Sequence, residues 1–240
     1  MRTVRLPAIA VLPFLAMLVL AGCGGSHSTA PIVKYPTLPV GTPGNSAPDS
    51  TVLRWVAAYA AMVEPEYDSL LTSDFHYRFS AQTDQDLVNL YGNAWGKVDE
   101  TTSYHHELRG FTNAQGRYYS PIVAIVADAQ TIGVNVDAAH ADSVAWYKSV
   151  AVASLSLAMD VNSDIGPTTY NIRSPLSLLL VRGDAAVLSP GQDHSPTRWY
   201  IRECDDLSTP VPALKRGPTI ETPQAASVRT WGAIRSQYRS

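Results

Sequence analysis

His105-His106 are the first residues in the chain that suggest chemistry, because imidazole is the commonest ligand of a protein-bound transition metal. Adjacent residues point in different directions on a helix, and no His, Cys or carboxylate stands at the i, i+4 partner spacing. His76, His140 and His194 are far apart in the chain, so no metal is expected. The second group is Asp74, His76 and Arg78, which alternate with Phe75, Tyr77 and Phe79 in "SDFHYRFS". Period two makes this a strand with aromatics on one face and the charged trio on the wet one. The chain has no Gly-x-Ser-x-Gly elbow, phosphate loop or dinucleotide fingerprint, and no cofactor is expected. Arg182-Gly183-Asp184 spells an integrin-type tripeptide, but between "LSLLLV" and "AAVL" its Gly-Asp reads as a hairpin turn. Two cysteines, Cys23 and Cys204, are too few for a disulfide framework, and Cys204 reads as a small buried hydrophobe.

The elements that would position these residues follow from periodicity. Asp49 or Ser50 caps a helix whose stripe is Val52, Trp55, Val56, Tyr59 and Val63, stopped by Pro65. "PEYDSLL" reads as a short second helix with proline in its first turn, and Ser73–Ser80 as the first strand. Thr83-Asp84 caps a third helix through Leu90 and on past Trp95, with a further helical turn near "TTSYHHEL". From there the chain reads as strands: "YYSPIVAIVAD" and "QTIGVNVD" as a pair, then Trp146–Val161, "TTYNIRSPLSLLLVRGDAAVL" and Ser195–Leu207. In the second half of 146–161, Leu155, Leu157 and Met159 face one way and Ser154, Ser156 and Ala158 the other. A last amphipathic helix places Val228, Trp231, Ile234 and Tyr238 inward and Arg229, Arg235 and Arg239 in water. Helices first and long strands after give an α+β fold. N-terminal helices pack on a strongly curved antiparallel sheet, with a C-terminal helix added.

The first 22 residues hold Arg2 and Arg5, then an uncharged run of about 16 residues interrupted by Pro7 and Pro13. That is the layout of an export signal and too short for a membrane span. Leu20-Ala21-Gly22-Cys23 resembles the lipobox of bacterial lipoproteins, which implies cleavage before Cys23 and acylation of that cysteine, palmitate included. Two or more acyl chains give stable attachment where one does not. The resemblance therefore implies a protein of the bacterial cell envelope held to a membrane through Cys23. With Gly rather than Asp at position 24, it implies the outer membrane in a Gram-negative host. Residues 24–49 are rich in Pro, Gly, Ser and Thr and read as a tether reaching roughly 30 Å. Of 240 residues this leaves one domain, 50–207, followed by a linker and helix over 208–240. Without Arg2 and Arg5, 16 basic residues face 21 acidic ones, a net charge near −5, and no nucleic-acid partner is expected.

"LRWVAAYAAM", "YDSLLTSDFHYRFS", the long strands ending in "TRWYIRECDD" and the tail "RTWG" together resemble the nuclear-transport-factor-2-like (cystatin-like) superfamily. Bacterial lipoproteins of that type offer the nearest texture, at Trp199, Tyr200, Ile201, Asp206 and Thr230-Trp231-Gly232. The resemblance implies a cone-shaped α+β domain. It includes ketosteroid isomerases, polyketide cyclases and dehydratases, which keep an acid or base in an apolar pocket, and many members without catalysis. An active site would need an inward Asp or His with a Tyr or Asp donor, for which Asp74, His76, Arg78 and Asp206 are the material. No catalytic residue is assigned. Tyr59, Tyr77 and Tyr200 are the candidate pocket-lining residues for a small apolar ligand. The expected function is a lipid-anchored, non-catalytic binding or assembly domain. The alternatives are an acid–base isomerase or dehydratase using the cone, and an interaction module whose open sheet face docks a partner or forms a homodimer.

Overall fold

The structure, a computed structural model, describes residues 36–80, 88–89, 92, 94–143, 145–163, 166–183, 188, 192, 194–209 and 230–239. Helix α1 (Pro48–Ala60) begins earlier than the expected Asp49 or Ser50 cap. Ala47 is its N-cap, and Ser50 serves the cap from inside the first turn by accepting the Ala47 N–H at 3.1 Å. Val52, Trp55, Val56 and Tyr59 form its buried stripe. Met62, at φ 58°, ends it, and α2 (Glu64–Ser69) follows with Pro65 in its first turn, where a missing N–H removes no bond.

Strand β1 (Leu71–Arg78) alternates as its sequence does, burying Phe75 and Tyr77 and exposing His76 and Arg78. Trp95 lies not in a helix but in the short strand β2 (Ala94–Gly96), where it stands opposite Tyr77. The turn expected near Thr101 is a 13-residue helix, α3 (Lys97–Arg109). Most of the helix expected over Thr83–Leu90 lies outside the described residues; Val88 and Asn89 are helical.

After a small hairpin, β3 (Phe111–Thr112) and β4 (Tyr118–Tyr119), comes β5 (Ile122–Val136). The two strands expected here are one strand of 15 residues. It has no turn chemistry at its middle and runs the length of a single neighbour, with a register shift between Ile122 and Ala124 and Thr131 at φ 54°. A 3₁₀ segment (Ala138–Ser143) leads to β6 (Tyr147–Ser163), then β7 (Gly166–Arg182), β8 (Trp199–Asp206) and finally α4 (Trp231–Gln237).

The protein is α+β, with one six-stranded curved sheet in the order β2-β1-β8-β7-β6-β5. All neighbours are antiparallel except β1 and β8, which join the chain's first and last long segments in parallel. Register shifts occur in β6 between Val152 and Leu155 and in β8 between Ile201 and Glu203, opposite Leu179 and Leu180. Such bulges bend a strand and increase its twist, which lets strands this long curl over the helices. Leu155, Leu157 and Met159 are buried with Trp55, Tyr59, Phe75, Tyr77 and Trp231 in one core, while Ser154, Ser156 and Ala158 lie on the outer face. Cys204 is free and fully buried there, and burial pushes its thiol well above the usual range. The fold reaches back into the segment read as tether: the Asn45 carbonyl accepts the Trp199 N–H at 2.8 Å, and Arg54 donates to the Pro43 carbonyl at 3.1 Å.

Candidate functional site

Helices α3 and α4 face each other with stripes of the same spacing. On α3 the buried residues are Glu100, Ser103, Tyr104 and Glu107; on α4 they include Trp231, Ile234 and Arg235, with Tyr238 just beyond. Both sets follow i, i+3, i+4, i+7, which is one helix face. Arg235, expected in water, is therefore fully buried, because its position rather than its charge decides where it points. Arg239 is partly exposed, and Arg229 and Val228 lie outside the described residues. The Thr230 hydroxyl caps α4 by accepting the Ala233 N–H at 3.0 Å.

The Arg235 guanidinium is the centre of this region. Its Nη1 donates to Glu100 Oε1 and, at 2.7 Å, to the Tyr67 hydroxyl, while Nη2 donates to the Glu100 carbonyl at 3.0 Å. Tyr67 in turn donates to Glu100 Oε1, and Trp95 Nε1 donates to Glu100 Oε2 at 2.9 Å. Glu107 lies 3.5 Å from Arg235 Nε and accepts the Tyr59 hydroxyl at 2.8 Å. The rings of Tyr59, Tyr67 and Trp231 stand 5.4–5.7 Å from the guanidinium carbon, within cation–π range. Around this centre, Ser103 donates to the Arg235 carbonyl at 2.7 Å, His106 Nδ1 lies 2.7 Å from the Tyr238 carbonyl, and Arg239 pairs with Asp99 at 2.7 Å.

Burial pushes Glu107 up to about 7, against the opposing pull of Arg235 and of the Tyr59 hydrogen bond. Burial likewise raises Tyr59 and Tyr67 well above the phenol range. For Arg235 burial works the other way, and the Glu100 and Glu107 carboxylates and both phenols outweigh it, so the guanidinium stays charged. A carboxyl near neutrality beside a tyrosine hydroxyl is the material of acid–base catalysis. Among the described residues, the space next to Tyr59 is small. The unfilled space among Trp55, Val56, Tyr59, Leu155, Leu157 and Trp231 totals about 160 Å³ and does not admit a water molecule. An open cleft of about 320 Å³ lined by Glu64, Pro65, Tyr67, Asp68, Thr101 and Tyr104 lies at the surface.

The residues singled out from the sequence are dispersed. Tyr59 lines the small internal space. Tyr77 donates to Asp206 at 3.1 Å, and Asp206 also accepts from Ser174 at 2.6 Å and from the Ser208 N–H at 2.9 Å, a closed network without a free acid. Tyr200 belongs to a separate small cluster with Val181 and Leu188. Asp74 is held by Arg202 at 2.8 Å, His76 is exposed, and Arg78 pairs with Glu203 at 2.6 Å and Asp205 at 3.1 Å. His105 meets Glu64 at 2.7 Å. No three His, Cys, Asp or Glu side chains gather as a metal site among the described residues. Gly183 closes a tight approach at φ 41°, where an added Cβ would stand 2.2 Å from the Ser195 carbonyl; Asp184 and Cys23 lie outside the described residues. The residues that reasoning from sequence missed are Glu100, Glu107, Tyr67, Tyr104 and Arg235, and the repeated i, i+3, i+4, i+7 spacing on α3 and α4 was the signal available for them.

No family profile matches the chain, and no curated protein matches it in sequence. Solved structures resemble it in outline. A nuclear-transport-factor-2-like superfamily protein from Salmonella enterica covers 70% of this chain and 92% of its own, at 7% identity and TM-score 0.40. A nuclear-transport-factor-2-like protein of unknown function from Pseudomonas putida covers 73% and 93%, at 10% identity and TM-score 0.38. A protein with a ketosteroid isomerase-like fold from Catenulispora acidiphila, solved with trimethylamine, covers 66% and 85%, at 11% identity and TM-score 0.35.

Proposed function

We propose that the protein is a cell-envelope lipoprotein anchored through acylated Cys23, carrying a nuclear-transport-factor-2-like domain that binds or assembles without catalysis. The observation that supports this reading is the small space beside Tyr59 among the described residues. Where a catalytic relative would need an open pocket holding an acid, Trp55, Tyr59, Leu155, Leu157 and Trp231 close around space too small for water. The acid itself, Glu107, is sealed beneath α4 and beside Arg235. Recognition then falls to the outside, and the outer face of β5–β7 offers small side chains such as Ala124, Ala151, Ser156 and Ala158, on which a partner or a second copy can lie flat.

One feature favours an acid–base enzyme as the second reading: a carboxyl raised to about 7 with a tyrosine hydroxyl on it. That reading requires α4 to leave.

Native mass spectrometry of the mature chain, followed by denaturing extraction, separates the two. The expected result is a monomer or dimer with no small-molecule adduct. A co-purifying apolar molecule would move the weight to the enzyme. For the anchor, Cys23→Ala is expected to abolish acyl labelling and membrane fractionation; unchanged fractionation would remove it.

A further inference from the structure

Among the described residues, one end of the sheet combines an exposed tryptophan with exposed valines and basic side chains. It is built from the last residues of β5, the 3₁₀ segment, the first residues of β6, the last of β7 and the start of β8. Register brings these together: Val136 lies opposite Lys148, Lys148 opposite Leu180, Tyr147 opposite Val181, and Arg182 opposite Trp199. This tip leaves Val134 42%, Val136 53% and Trp146 44% exposed, with the exposed alanines of the 3₁₀ segment between them. Trp55, Trp95, Trp199 and Trp231 are at most 6% exposed, so Trp146 is the single tryptophan on the surface. Among the described residues, Lys148, Arg182, which lies over the Trp199 ring, and Arg198 accompany the apolar residues, with the acids Asp137 and Asp142. Asp137 is occupied with His140 at 2.6 Å, and His140 stacks on Tyr147.

An exposed tryptophan among valines, rimmed by basic side chains, is the composition of a surface that rests in lipid headgroups. What selects lipid over another occupant is where the chain enters. The segment that leads into α1 passes this same end, through the bond between Asn45 and Trp199. Cys23 precedes Pro36, the first described residue, by 13 residues, a coil reach of roughly 20 Å. A domain held to a membrane through Cys23 is therefore kept within short reach of the bilayer.

We propose that this tip is a second membrane contact, in which Trp146, Val134 and Val136 enter the headgroup region and Lys148, Arg182 and Arg198 face lipid phosphates. The proposal rests on the anchor reading and adds to it an orientation: the outer sheet face stands upright from the bilayer.

The test places the mature, acylated full chain in vesicles of phosphatidylcholine and phosphatidylglycerol, with and without bromine on the acyl chains. Brominated lipid is expected to quench part of the tryptophan emission of the wild type and none of that of Trp146→Phe. Equal emission in both vesicles from protein that floats with the lipid would overturn the proposal and leave the anchor standing. The same reading applies if Trp146 is shielded by a second copy. In a parallel arm the unacylated Cys23→Ser chain is expected to partition weakly onto the same vesicles, and Trp146→Ser to weaken it about tenfold, the contribution of one large apolar side chain. If wild type and Cys23→Ser partition alike, the anchor reading falls, and quenching alone then decides the tip.

Discussion

Arg235 and Arg78 each meet two carboxylates, and almost everything else about them differs. Arg235 is sealed with Glu100 and Glu107 between α3 and α4, at no exposure on any of the three side chains. Arg78 lies on the outer face of β1 across from Glu203 and Asp205 on β8, and its side chain is 46% exposed. In water an ion pair replaces hydration that was already good, and salt screens what remains. Inside, the charges have no hydration to return to, so each one present obliges the others to be present. The outer group tunes a surface; the inner group joins residues of four helices in one interior.

Arg235→Ala leaves Glu100 without its cation and is expected to destabilise the fold by about 3–5 kcal/mol, measured by urea unfolding. Arg235→Lys keeps the charge and loses the fork that reaches Glu100 and Tyr67 together, so it should fall between the two. The next effect is a pH dependence. The folded state holds the Glu107 proton up to about 7, while the unfolded chain releases it near 4.5. Stability is thus highest on the acid side of that window, falls as pH rises through it by on the order of a few kcal/mol, and levels above it. Thermal melts across pH 4.5–8 read this directly, and Glu107→Gln should flatten the slope over that window. A smaller loss is expected for Tyr77→Phe, which removes one hydrogen bond from Asp206 while Ser174 and Ser208 remain; about 1–3 kcal/mol would appear in the same unfolding assay. The smallest belongs to the outer face. Arg78→Ala should cost under about 1 kcal/mol, and less again in high salt. A loss at Arg78 equal to that at Arg235 would sink the distinction.

The same contrast explains what could be read from the sequence. Period two in β1 and in the second half of β6 predicts the buried faces, because there the apolar residues are the ones that point inward. Helix α1 is legible for the same reason. Helix α3 is nearly silent: its buried face is Glu100, Ser103, Tyr104 and Glu107, so a search for apolar spacing finds only a turn. Arg235 was placed in water by its type, although it completes the stripe of Trp231 and Ile234. Direction along a helix is local information. The reason a charge can point inward is not local, since its partner Glu100 lies 135 positions away. The single long β5 was missed for a related reason, as its continuity is enforced by the β6 ladder rather than by its own residues. Of the candidate site, Tyr59 was legible as an inward residue of α1, and the acid and arginine around it were not.

That separation of 135 positions also fixes an order of events. A chain made from its N-terminus acquires both glutamates long before it acquires their arginine. Until residue 235 arrives, the nascent domain carries two acids at the place where its interior must close. A product that stops before residue 235 lacks the guanidinium that meets both of these acids.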